Sequence, residues 1–322
     1  MADHADDVGD GDTFVYRGGQ APQHITHALI DKSIDEIENN AFYRRRNLLT
    51  VETHDGLRKI GRHAFCNCIS LPRINIKSVV EIEECAFNNC VLESVEFGDR
   101  LEIIGNHAFG GCSSLTHLKL PSVTTIGYCA FNLCRRLTDI EFSEPLETIG
   151  ANAFHGCERL QRIAIPLKRD LFAYDVDEEE YNQFDGCEQL TTVDVVGGIH
   201  KTAASLQMES WCAEMLAEIN RINQVLPNTH AREKTDEIQQ WMEVAMDKMD
   251  HYKAEHCRYV KEGITLLELA LWKAKLGEKE EYAAGREPKK AKVDSVNARK
   301  ERRITCGADT VIKNVLPFLQ LV

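Results

Sequence analysis

The sequence predicts an α/β fold: a repeat solenoid with a parallel β-sheet along one face, followed by an α-helical hairpin or coiled-coil module. Three observations predict it. The dipeptide Ala-Phe recurs at Ala41-Phe42, Ala64-Phe65, Ala86-Phe87, Ala108-Phe109, Ala130-Phe131 and Ala153-Phe154, in steps of 23, 22, 22, 22 and 23 residues. An isoleucine stands four residues before each of these alanines: Ile37, Ile60, Ile82, Ile104, Ile126 and Ile149. From about Thr202 the apolar spacing changes from this long period to the three-and-four spacing of a helix.

Each unit reads I-G-x-x-A-F-x-x-C-x-x-L-x-x-I-x-I, a turn followed by an alternating strand such as Leu115-Leu118-Leu120 or Leu160-Ile163-Ile165. One unit cannot bury its own apolar face. Stacked units can, and they line up their strands in parallel. Alanine permits close approach, phenylalanine fills the space between coils, and Gly61, Gly105, Gly127 and Gly150 suit a tight corner. A seventh unit keeps Phe184, Cys187, Leu190, Val193 and Val195, but Gln183 replaces the alanine and Glu179 stands at the isoleucine position. Its acidic insert, around Asp175 to Glu180, reads as a surface loop. The first unit carries Arg45 at the cysteine position, the kind of irregularity expected of an end unit.

This pattern resembles the BspA-like leucine-rich repeats over roughly residues 34–196. The resemblance implies a curved leucine-rich-repeat solenoid that serves as a protein-interaction surface, with no catalytic residues at the repeat positions. Bacterial members of the family are often exposed at the cell surface.

Cys68, Cys90, Cys112, Cys134, Cys157 and Cys187 share one register. Spread along the stack, each has one neighbour on either side rather than the four ligands gathered round a point that zinc requires, so they read as a buried ladder. Cys66 and Cys85 are additional and lack a C-x-x-C partner. The outward strand positions carry Glu52, Arg73, Lys77, Glu96, His117, Lys119, Asp139, Glu141, Arg162 and Asp194, with signs alternating along the stack. Strands about 4.8 Å apart place opposite charges side by side. The face reads either as a solvated surface whose charges satisfy one another or as a mixed-charge docking surface for a protein.

In the helical part, Leu206, Trp211, Met215, Ile219, Ile222 and Leu226 share one face, and Pro227 ends the run. A second helix is expected to start at Thr235-Asp236 with Thr235 as a capping residue. Its seam, Ile238, Met242, Ala245, Met249, Tyr252, His256 and Tyr259, has heptad spacing that permits self-association, and Gly263 suggests a kink. A last helix is expected within 295–322. The division expected is therefore an acidic segment and cap over 1–33, the solenoid over 34–200, helices over 201–276, a basic linker over 277–294 and a final helix. The helices read either as a cap on the open end of the solenoid or as an association interface. His251, His256 and Cys257 do not share a helix face and have no fourth ligand, so no metal is assigned to them.

Residues 1–200 hold 18 Lys+Arg against 32 Asp+Glu, and residues 201–322 hold 20 against 19. The acidic half has no field for nucleic acid or an anionic membrane. The residues around Met1 to Asp7 are too acidic for a secretory signal, and twelve cysteines point to free thiols in a reducing compartment, cytoplasmic or nuclear. Between 286 and 303 lie eight Lys/Arg and three Asp/Glu. Lys289, Lys290 and Lys292 after Pro288 resemble a single-cluster nuclear localisation signal for an import receptor, and a solvated linker would look the same. No phosphate-cradling glycine loop, nucleophile elbow or H-E-x-x-H occurs. The function expected is a non-catalytic, cofactor-free scaffold or adaptor that binds proteins. The alternative is a nuclear factor whose basic segment touches nucleic acid or chromatin.

Overall fold

The computed structural model describes residues 8–9, 13–172, 182–196 and 209–283. The acidic insert, the basic residues Lys289, Lys290 and Lys292, and the final helix lie outside them. Successive coils form two parallel ladders. One consists of two-residue strands, β4 (Glu36–Ile37), β6 (Lys59–Ile60), β8 (Glu81–Ile82), β10 (Ile103–Ile104), β12 (Thr125–Ile126) and β14 (Thr148–Ile149), in that order. These contain the recurrent isoleucines, every one of them buried. The other ladder is built from the strands after the leucines: β5 (Thr50–Glu52), β7 (Arg73–Ile76), β9 (Ser94–Phe97), β11 (His117–Lys119), β13 (Asp139–Glu141), β15 (Arg162–Ile165) and β16 (Thr192–Val195). It reaches back beyond the units visible in the sequence. The strands β2 (Thr13–Tyr16) and β3 (His27–Ile30) continue it in parallel, and β1 (Val8–Gly9) closes it by pairing antiparallel with β2.

The core is a column. Phe42, Phe65, Phe87, Phe109, Phe131, Phe154 and Phe184 stack ring on ring, with centroids 4.9–5.7 Å apart and planes within 9° of parallel. Tyr16 starts the column, 5.1 Å from Phe42. The cysteine ladder runs beside it, and the geometry explains the choice of cysteine. Each thiol donates to the phenylalanine carbonyl of the preceding coil at 3.0–3.3 Å, Cys68 to Phe42 and so on to Cys187 to Phe154. A buried side chain small enough for the site thus also supplies a donor to the preceding coil's backbone.

Two turn positions per coil adopt positive φ. One precedes the alanine and the other lies two residues after the phenylalanine, as in Asn67, Asn89, Gly111 and Leu133. The corner glycines have a different reason from the one expected. Gly61, Gly105, Gly127 and Gly150 have ordinary φ, but an added Cβ would lie 2.6–2.8 Å from atoms of the preceding coil. The coils are too close for a side chain there.

Buried cationic side chains answer backbone carbonyls at the first unit and beyond the last. At the first unit, buried Arg45 replaces the cysteine; its Nε donates to the Ala21 carbonyl at 2.7 Å and its Nη1 to Tyr43. At the other end lie helix α1 (Glu209–Val225), a 3₁₀ turn at Leu226–Asn228, a second at Ala231–Glu233, and helix α2 (Lys234–Ala283). Lys234, only 1% exposed, donates to the carbonyls of Cys187, Glu188 and Leu190 at 2.7–3.0 Å. Those carbonyls have no further coil to bond to, and an ammonium with three donors satisfies them. Asn223 accepts from Val193 N–H and Thr235 from Phe184 N–H. Thr235 therefore closes the last coil, and the helix it was expected to cap begins at Lys234. Trp241 is fully buried and donates to the Glu218 carbonyl, locking α2 to α1.

One compact unit contains the coils together with residues 208–247; the second contains residues 248–322 and 205–207. Of the heptad seam, Ile238, Met242 and Ala245 are buried in the first unit. Beyond it, α2 continues through Gly263 as one helix without a break, and Tyr259 is 49% exposed. No described helix is long and apolar enough to cross a membrane. The seventh coil also differs from the expectation. Phe172, not Glu179, takes the isoleucine position: it bridges in parallel to Ile149, is buried, and packs edge-on against Phe184 at 5.8 Å. The extra residues therefore fall between Phe172 and Asn182.

Candidate functional site

The outward face of the second ladder is positioned by strict alternation. Leu118, Ile140 and Ile163 point into the core, which turns the residues between them outward. Registers pair His117 with Asp139 and Lys119 with Glu141, then Asp139 with Arg162. The alternating signs become cross-strand ion pairs: Lys77–Glu96 at 2.7 Å, Lys119–Glu141 at 3.3 Å, Arg162–Asp139 at 3.0 Å and Arg162–Asp194 at 2.5 Å. Arg162 thus bridges three strands. Its guanidinium is held above the ordinary arginine value, chiefly by the hydrogen bond it donates to Asp139, with Asp194 adding to it. Glu96 is held below the ordinary carboxylate range by Lys77, with a smaller contribution from Arg73. His117 Nδ1 lies 3.2 Å from the Thr138 hydroxyl, and Glu52 and Arg73 are exposed on β5 and β7.

The hydrogen-bonded ladder is interrupted twice, between β5 and β7 and between β9 and β11, each pair belonging to separate sheets. An open depression of about 480 Å³ lies at the second break. Its walls carry Lys77, Glu96, His117, Lys119, Asp139 and Glu141, and Val95, Phe97, Leu118 and Pro121 supply apolar surface. Phe97 is the odd residue here. A ring stands where most coils have an aliphatic side chain, and it packs edge-on against Phe109 at 5.8 Å. Six of the ten outward residues singled out from the sequence meet in this one depression. Arg162 and Asp194 lie beside it on β15 and β16, joined to it through the Arg162–Asp139 pair, and Glu52 and Arg73 lie toward the start of the stack. The sequence reading missed the apolar floor, because a break in a ladder has no signature in residue spacing.

The exposed pairs are worth little to stability, about 0–1 kcal/mol each. What the depression offers is apolar area ringed by charges of both signs.

Comparison with known proteins follows the same lines. The chain matches the BspA type leucine rich repeat region in six copies, over residues 22–91 and 80–206. No curated protein matches it. Among solved structures it is similar to a leucine rich repeat protein of T. pallidum, with 27% identity, 60% of this chain and 87% of that chain covered, and a TM-score of 0.46. It is similar to a leucine-rich repeat protein from Bacteroides ovatus with 20% identity, 52% and 66% coverage and a TM-score of 0.24. A leucine rich cell surface protein from Faecalibacterium prausnitzii gives 19% identity, 60% and 92% coverage and a TM-score of 0.23. Repeat spacing, phenylalanine column and parallel ladders agree with the family match: this chain belongs to the BspA-type leucine-rich-repeat family.

Proposed function

We propose that the chain is a non-catalytic protein-interaction scaffold whose docking site is the depression between β9 and β11. The observation that carries this reading is the convergence of Lys77, Glu96, His117, Lys119, Asp139 and Glu141 around apolar Val95, Phe97 and Leu118 where the ladder is interrupted. Interfaces of this kind gain energy from a small apolar centre and register from the surrounding charges. The partner is a polypeptide carrying both acidic and basic side chains, since neither sign dominates the rim.

The test exchanges the charges of one pair. In the double variant Lys119→Glu, Glu141→Lys the intramolecular ion pair is retained with its polarity reversed, so stability is expected to be unchanged. Partners captured on the full-length wild-type chain by cross-linking, and then titrated individually, are expected to bind the exchanged variant at least about tenfold more weakly. Arg135→Glu, remote from the depression, is the control. Equal binding by wild type and exchanged variant would remove the depression from the interface.

A further inference from the structure

On the edge formed by the turns, the residue before each alanine has positive φ. In the first and sixth units it is Asn40 and Asn152, a residue type suited to that conformation. In the four units between, it is His63, Cys85, His107 and Cys129. Cysteine is not a residue type that a positive φ favours.

At the first two of these positions the side chains converge with a carboxylate. His63, Glu84 and Cys85 are each half-buried, and each offers one ligand atom within 4.8 Å of the others. Nδ1 of His63 is shielded from solvent and makes no hydrogen bond. A shielded ring nitrogen without a partner is costly and uncommon. Glu84 receives Arg62 on Oε1 at 2.8 Å, and a carboxylate can accept at its second oxygen at the same time.

We propose that His63, Glu84 and Cys85 bind a zinc-class divalent cation. One imidazole, one carboxylate and one thiolate are the donor types zinc takes, and three protein ligands leave the fourth tetrahedral position to water. Ligand atoms around such an ion lie about 3.3–3.8 Å apart, so the three side chains close on it by roughly an ångström. The thiol proton leaves to solvent as the cation binds. The site is separate from the docking depression and does not depend on it.

The experiment uses the full chain, stripped with a chelator and titrated with Zn²⁺ and with Co²⁺. The expected result is about one equivalent bound, with a thiolate-to-cobalt charge-transfer band and the visible bands of a four-coordinate ion. His63→Asn and Cys85→Asn place the residue type of Asn40 and Asn152 in these turns, so they are expected to fold. Each is expected to weaken binding by about a hundredfold or more. Cys257→Ser, an exposed thiol elsewhere, is expected to bind as wild type. Independently of any variant, Zn²⁺ is expected to protect Cys85 from alkylation in the wild-type chain, read by peptide mass mapping. Absence of the charge-transfer band, unchanged alkylation of Cys85, or wild-type binding by His63→Asn would overturn the proposal.

Discussion

Single residues in this molecule act through their neighbours one coil away. Phe109 is stacked on both faces, by Phe87 and Phe131, so its loss opens a cavity that neither ring can fill. Phe109→Ala is expected to cost about 3–5 kcal/mol, read as a lowered denaturant midpoint. The turns give a change of opposite sign. Leu133 holds φ of 57° and is 39% exposed, so it carries left-handed strain with little burial to offset it. Leu133→Gly is expected to stabilise the fold by about 0.5–1 kcal/mol in the same assay. The cysteine ladder makes stability depend on alkaline pH. Burial pushes the thiols of Cys68 and Cys112 up to about 12, from 9.0 when solvated. A raised folded value means the contribution is complete below pH 9 and is lost as pH rises toward 12, because only the unfolded chain releases these protons. Unfolding titrations at pH 8, 9 and 10 are expected to show falling midpoints, with Cys112→Ala less sensitive than wild type.

The informative element is the closing pair of helices. Lys234 answers three carbonyls of the last coil, and Asn223 and Thr235 answer two of its N–H groups. Lys234→Met retains the length and removes the donors, leaving shielded carbonyls without partners. It is expected to cost about 2–4 kcal/mol and to lower cooperativity at that end first, measured by hydrogen exchange of Val193 and its neighbours. The repeat period, the phenylalanine column and the cysteine ladder were all legible in the sequence, because each rests on residues that recur in register. Lys234 and Trp241 were not. A buried lysine looks like any surface lysine until the unanswered carbonyls are in place. Phe172 was missed for a related reason: an insertion of unknown position moves the apparent register, and only the bridge to Ile149 settles it. The outward charges were legible as a set, but their gathering around Phe97 was not.

At the scale of the whole molecule, coils bond only to adjacent coils, so stability is close to a sum of like contributions along a line. The ion pairs of the strand face stand in solvent and contribute little to that sum. Raising NaCl from 0.1 M to 1 M is therefore expected to shift the unfolding midpoint only slightly, by less than about 1 kcal/mol in total. Binding of the proposed partner at the depression is expected to fall over the same range if the rim works through charge as proposed. The two measurements on one sample separate what holds the chain together from what it presents.

The cation at the last coil has a further consequence. A stack of near-identical coils has no intrinsic length: the last coil presents to solvent the same backbone groups that each earlier coil presents to its successor. At the last coil Lys234 occupies those groups with a side chain that cannot itself be built upon. It acts as a terminator there. Lys234→Met is expected to leave that end open to the backbone of another molecule, read as a rise in molar mass by light scattering; an unchanged mass would assign the closure to the helices alone.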